Sequence, residues 1–134
     1  MKFPKWLKVF GDASYRGPCP QESAEQITAF NQIRKEFPHA LHPRNEGKKT
    51  YGQVSRHKAE GQTKGASDII IPASPAFVCE LKRQDHTKST WQAGQIEYLE
   101  NCHNAGAFAC VALGYKGVLE AIEQWKKDLN KQGK

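Results

Sequence analysis

The stretch GASDIIIPASPAFVCELKR, residues 65–83, decides how this chain is read. Two apolar runs, residues 67–71 and 76–82, are separated by Pro72 and Pro75, which restrict the link to a turn. The pattern predicts two strands of a hairpin. Strand side chains alternate faces, so Glu80 and Lys82 point one way while Cys79 and Leu81 point into the opposite layer. Asp68 lies about four residues before the turn and Glu80 about five after it, which brings Asp68 level with Glu80 and Lys82. Two carboxylates facing each other repel unless something neutralises them. Mg²⁺ suits such a pair, because it prefers hard oxygen ligands and takes one or two carboxylates plus water and substrate phosphate. A bound ion would acidify a water and offset charge on a scissile phosphate. Lys82 would orient that water, help deprotonate it or stabilise the developing charge. Aspartate, glutamate and lysine in this pattern point to phosphodiester hydrolysis. Taken alone the pattern is weakly specific: ELKR also reads as the polar end of a strand, with Asp68 as a hairpin cap.

Outward from the hairpin, residues 1–20 are rich in proline, glycine and aromatics and read as an arm over the domain, anchored by Trp6, Leu7, Val9 and Phe10. In QESAEQITAFNQIRKEF, Ile27, Phe30, Ile33 and Phe37 recur at spacings of three and four, so the segment predicts an amphipathic helix ended by Pro38. A short strand is expected near residues 40–42. The polar, basic run that follows, up to Lys64, reads as a long functional loop. Beyond the hairpin, STWQAGQIEYLENCHNAG predicts a helix with Trp91, Ile96, Leu99 and Cys102 on one face, terminated at Gly106. AFACVALGY predicts a buried strand and GVLEAIEQWKKDL a closing helix. The expected order is α-β-β-β-α-β-α, an α/β domain with a small central mixed sheet flanked by helices. It divides as arm 1–20, domain 21–130 and frayed tail 131–134.

With 134 residues the chain is one domain by size. Its net charge of +6 favours a polyanionic partner; the bland alternative is a basic, solvated surface. No segment reaches the apolar length that spans a bilayer. MKFPKWLKVFGD carries no signal-peptide pattern, so a cytoplasmic location is expected. The four cysteines form no C-x-x-C pair, and with the five histidines they give no zinc-finger spacing.

GASDIII…FVCELKR resembles the PD-(D/E)XK nuclease superfamily, with Asp68 as its aspartate and Glu80-Leu81-Lys82 as its (D/E)-x-K. More narrowly, the chain is similar to the VRR-NUC domain family, in its small stand-alone, phage-type form. ESAEQ at 22–26, PRNEG at 43–47, GASD at 65–68, ELK at 80–82, STWQAGQIEYL at 89–99 and Gly106 before AFACVAL follow that family's order. The likeness runs from about Glu22 to Trp125. Two departures stand out: Arg44 is inserted in the usual Pro-Asn step, and Ser67 replaces the proline before the aspartate.

The resemblance implies a restriction-endonuclease-like core and a Mg²⁺-dependent endodeoxyribonuclease, with Mn²⁺ as a substitute and no organic cofactor. It implies that Asp68 and Glu80 bind metal and that a first-helix glutamate completes the site, Glu25 by choice and Glu22 as the alternative. Gln95, or Gln92 if the helix is read three residues earlier, would support the site. It further implies branched DNA such as Holliday junctions as substrate, a homodimer, and the cytoplasm of a bacterial host. Arg44, Asn45, Lys48, Lys49, Arg56, Lys58, Lys64, Arg83 and Lys88 are the expected DNA contacts, neutralising phosphates without reading bases. Rival readings are a nuclease of the same fold acting on flaps, ends or duplex, a catalytically inactive DNA-binding module, and a small basic interaction protein. Trp91, Tyr98, Phe77, Phe108 and Trp125 are expected in the core.

Overall fold

The computed structural model describes residues 1–43, 51–61 and 63–132, the side chains at 51, 54, 57, 131 and 132 excepted. Its elements are β1 (Lys8–Phe10), α1 (Glu22–Glu36), α2 (Tyr51–Ala59), β2 (Ile69–Ile71), β3 (Phe77–Lys82), α3 (Gln95–Asn104), β4 (Phe108–Leu113) and α4 (Gly114–Gln132), with a 3₁₀ turn at His86–Lys88. The strands form one sheet in the order β1-β4-β3-β2. β2 and β3 are the antiparallel hairpin expected from the two prolines, while β4 runs parallel to both β3 and β1. The parallel β3–β4 pair is buried along its whole length, as near-continuous apolar runs require when helices cover both faces.

Residue parity sorts the two layers. Phe77, Cys79 and Leu81 join Cys110 and Ala112 under α1 and α4, around a fully buried Trp125. The Trp125 indole also donates to the Pro75 carbonyl at 2.8 Å, pinning α4 to the hairpin turn. On the other face, Val78 and Val111 pack with Leu99 of α3 and with Leu7, Trp6 and Phe3 of the arm. Glu80 and Lys82 share this second face, so β3 carries its polar pair on the α3 side.

Several expectations change. The arm is not separate from the sheet, because Lys8–Phe10 pairs with Cys110–Ala112 as an edge strand. The strand near 40–42 reduces to a single bridge between Leu41 and Ile70. The basic segment contains a helix, α2, and α4 continues to Gln132, into the expected tail. Ile27 is 65% exposed: the buried stripe of α1 is Glu25, Ala29, Phe30 and Ile33, and Ile27 falls just off its edge. Trp91 and Tyr98 are half-buried at the margin of the second layer. No helix among the described residues is long and apolar enough to cross a membrane.

The arm is tied down again where β3 ends. Asp85 accepts from the Gly17 amide at 3.0 Å and from the Thr87 hydroxyl and amide at 2.6 and 3.1 Å. These donors, the Thr87 hydroxyl foremost, hold the Asp85 carboxyl down at about 2. A depressed carboxyl stabilises the fold above its unfolded value of about 3.9, and that contribution is lost as pH falls through its folded value. Asp85→Asn is therefore expected to melt below wild type at pH 7. Melting curves taken between pH 5 and pH 2 should show the gap closing; a gap independent of pH would mean that the carboxylate charge is not what holds the arm.

Candidate active site

Hairpin register sets the first contact. Ile69 pairs with Cys79, and extending that register by one residue puts Asp68 opposite Glu80 on the same face. Asp68 Oδ2 accepts from the Leu81 amide at 2.8 Å, which fixes its carboxylate against β3. Its own carbonyl oxygen lies 2.7 Å from His42 Nδ1, so the segment before α2 supports it from behind.

Glu80 and Lys82 are each only 2% exposed. Gln95, the first residue of α3, bridges them: its Nε2 donates to Glu80 Oε1 at 3.0 Å and its Oε1 accepts from Lys82 Nζ at 2.9 Å. The same Oε1 also accepts from the Gln92 amide at 2.8 Å. Lys82 Nζ donates further to the Thr90 carbonyl at 2.8 Å and sits 5.4 Å from the centre of the Trp91 ring. Trp91 is itself held by the arm, its indole donating to the Lys2 carbonyl at 2.8 Å. Among the described residues, Glu80 Oε2 and Ser67 Oγ are buried with no hydrogen-bond partner. Burial, then the negative charge of Asp68 and the hydrogen bond that a proton on Glu80 makes with it, push the Glu80 carboxyl well above the usual range; Lys82 opposes this and Glu22 adds to it.

Of the two first-helix glutamates, the structure brings Glu22 toward the site and not Glu25. Glu22 Oε2 accepts from the Ser89 hydroxyl at 2.9 Å, and Ser89 Oγ in turn accepts from the Arg83 amide at the end of β3 at 3.0 Å. Glu25 points to the start of α4, where Oε2 accepts from the Tyr115 amide. A carboxylate there satisfies an open helix amide and complements the helix dipole. Between the two glutamines the structure joins Gln95 to Glu80 and Lys82. The Gln92 side chain donates to the Thr90 hydroxyl at 3.2 Å.

The expected DNA contacts divide. Arg56 and Lys58 on α2 and Lys64 ahead of Asp68 are exposed. Arg83 is engaged with the arm through the Cys19 carbonyl at 2.7 Å and the Pro20 carbonyl at 3.2 Å, and Lys88 through the Gly17 carbonyl at 2.9 Å. These two cations fasten residues 17–20 in place. Arg44, Asn45, Lys48 and Lys49 lie outside the described residues. Three supports escaped sequence reasoning: His42 behind Asp68, Ser89 on Glu22, and the Thr90 carbonyl on Lys82. Backbone acceptors leave no side-chain signal, but Ser89 opens the helix motif and was visible as such.

No group of three or more His, Cys, Asp and Glu is placed to hold a metal ion among the described residues. The pair Asp68 and Glu80 nonetheless fits a hard divalent cation. Its atoms are carboxylate oxygens, one of them buried and unpartnered, and Mg²⁺ commonly takes only one or two carboxylates.

A solved structure described as a VRR_NUC domain protein superposes on this chain with a TM-score of 0.64 at 20% sequence identity. The match covers 84% of this chain and 92% of the other. The chain has the fold of a VRR_NUC domain protein. No protein-family model matches the sequence, and no curated protein matches it either. The likeness therefore lives in the fold, a four-stranded sheet with helices on both faces.

Proposed function

We propose that this protein is a nuclease of the VRR-NUC type, a divalent-metal-dependent endodeoxyribonuclease with a preference for branched DNA. The observation that supports this most is the Glu80–Gln95–Lys82 chain, buried at both charged ends and with Asp68 beside it, at one end of a sheet of VRR_NUC fold. A binding module needs no buried glutamate and lysine joined in this way, whereas each has a task in phosphodiester hydrolysis.

Asp68 and Glu80 would hold Mg²⁺ or Mn²⁺, which supplies Lewis acidity toward the phosphate and acidifies a bound water. Gln95 keeps Glu80 Oε1 and Lys82 Nζ in fixed relation, so the carboxylate presents Oε2 to the site and the ammonium stays beside it. Among the described residues, Gln95 and Thr90 use two of the three Lys82 N–H groups, which leaves one to orient the attacking water or to meet charge growing on phosphate oxygen. Glu22 adds negative potential next to Glu80, favouring a cation there. Arg56, Lys58 and Lys64, with the basic residues around them in sequence, would take phosphates and make binding salt-sensitive. A chain this small holds one such site, so cutting two strands together calls for a homodimer.

The test is cleavage of a four-way junction, a flap and a linear duplex with Mg²⁺, with Mn²⁺ and with chelator. Wild type should cut the junction fastest and lose activity in chelator, and Glu80→Ala and Lys82→Ala should each cut at least about 10²-fold more slowly. No metal-dependent cutting of any substrate would sink the nuclease reading; equal rates on duplex and junction would sink only the preference.

A further inference from the structure

Two glycines far apart in sequence meet backbone to backbone beside this site. Gly65 has φ +78° and Gly94 has φ +90°, both in the left-handed region that side chains other than glycine's rarely adopt. A Cβ built on Gly65 would lie 2.2 Å from the Gly94 carbonyl carbon, 2.3 Å from its oxygen and 2.7 Å from the Gln95 amide nitrogen. In the other direction, a Cβ on Gly94 would come within 3.2 Å of the Lys64 carbonyl oxygen. The obstacles at Gly65 are backbone atoms, which cannot swing aside as a flexible side chain does.

The contact joins two segments that reach β3 separately. Gly65 is three residues ahead of Asp68, whose carboxylate is bound to the Leu81 amide. Gly94 immediately precedes Gln95, whose side chain is bound to Glu80 and Lys82. Two arms of a triangle thus run to β3, one from the Asp68 segment and one from the start of α3. The Gly65–Gly94 contact closes the third side. Each segment is held to the sheet on its own, through the β2–β3 ladder and through Leu99 of α3, and the glycine contact adds a direct tie between the two.

We propose that Gly65 and Gly94 are positioning residues that set the distance between Asp68 and the Glu80–Gln95–Lys82 chain. The inference rests on the nuclease reading for its catalytic consequence. Displacement by about an ångström at a reacting centre costs on the order of 10²-fold in rate.

Gly65→Ala is compared with Gly106→Ala, a matched control: Gly106 has φ +97°, and a Cβ there meets nothing within 4 Å. Both variants carry the same kind of backbone strain, and only one collides. Expected for Gly65→Ala is a fall in kcat of about 10²-fold, with KM and the Kd for DNA within about threefold of wild type, and the control close to wild type throughout. A second readout needs neither metal nor turnover: hydrogen exchange of the Gln95 side-chain amide in the metal-free protein, assigned by its loss in Gln95→Glu. Its protection should fall in Gly65→Ala and persist in Gly106→Ala. If Gly65→Ala fails to fold, the softer Gly94→Ala decides, with about a tenfold loss of kcat and the same loss of protection expected. Unchanged Gln95 exchange, or a kcat loss no larger than the control's, overturns the proposal. Should wild type cut no DNA at all, the nuclease reading fails, while the exchange measurement still decides whether the glycines position Gln95.

Discussion

Glu80→Gln is expected to melt higher than wild type in the absence of metal and to lose cleavage by at least about 10³-fold. Glu80 is buried with Oε2 unpartnered and with Asp68 beside it, and both burial and that neighbouring charge push its carboxyl upward. A carboxyl raised in the folded state stabilises the fold only where it is protonated in both states, and that advantage disappears as pH rises through its folded value. Glutamine keeps the shape and still accepts from Gln95 through its oxygen. It turns the unpartnered oxygen into an amide that can donate toward Asp68. Where the unfolded glutamate is ionised, replacing its buried carboxyl by a neutral amide that carries its own donor is worth about 1–3 kcal/mol, or roughly 3–10 °C in a domain of this size. The sign fixes the pH dependence: the gap should be near zero below about pH 4.3, the ordinary glutamate value, and widen above it. Adding Mg²⁺ should raise the melting temperature of wild type and not of the variant, because a ligand stabilises only the state that binds it. A variant that melts lower than wild type at neutral pH would mean that Glu80 is held by partners other than those described.

Which parts of the candidate site were legible in the sequence depends on what fixes the geometry of each. Alternation along β3 and the prolines after β2 determine register, so Asp68 opposite Glu80 could be read without coordinates. Glu22 against Glu25 could not. The two lie one helical turn apart on neighbouring faces, and the choice depends on the start of α4 reaching Glu25 from 90 residues away. Gln95 against Gln92 turns on where α3 begins, which the left-handed Gly94 decides. The strand at Lys8–Phe10 is three residues long and exists because β4 lies beside it, a contact across about a hundred residues with no local turn to announce it. α2 has polar, loop-like composition and no clear apolar stripe, so periodicity carried no signal there. Arg83 and Lys88 read as phosphate contacts, and nothing local announces that they also bond the carbonyls of Gly17, Cys19 and Pro20. Sequence reading succeeded where period and turn chemistry fix geometry, and failed where a distant backbone group does.

Lys82→Met is expected to be destabilising and nearly inactive, and its pairing with Glu80→Gln separates the two effects. Methionine fills the volume of the lysine stem but leaves Gln95 Oε1 without one of its two donors and the Thr90 carbonyl without its ammonium. Loss of a donor to a buried acceptor costs about 1–3 kcal/mol, so the single variant should be less stable by about 2–4 kcal/mol. It also removes the positive charge that works against the upward push on Glu80. Glu80→Gln should therefore stabilise the Lys82→Met background by more than it stabilises wild type. The excess is the Glu80–Lys82 coupling, which for groups in one network runs about 0.5–3 kcal/mol. Measured by denaturant melts, that coupling should be present at pH 8 and vanish below about pH 4.3, where Glu80 carries its proton in both states. Activity behaves differently from stability, because no second substitution restores an ammonium to the site. The double variant should regain stability while staying at least about 10³-fold below wild type in cleavage, the loss already expected of Glu80→Gln alone. Lys82→Arg is the sharper probe of the same point. It retains charge, but its planar fork cannot reproduce a compact ammonium between Gln95 and Thr90, so cleavage should stay low in a protein that still carries the cation. Recovery of cleavage by arginine would reduce the role of Lys82 to charge alone and leave the Gln95 bridge without a catalytic purpose.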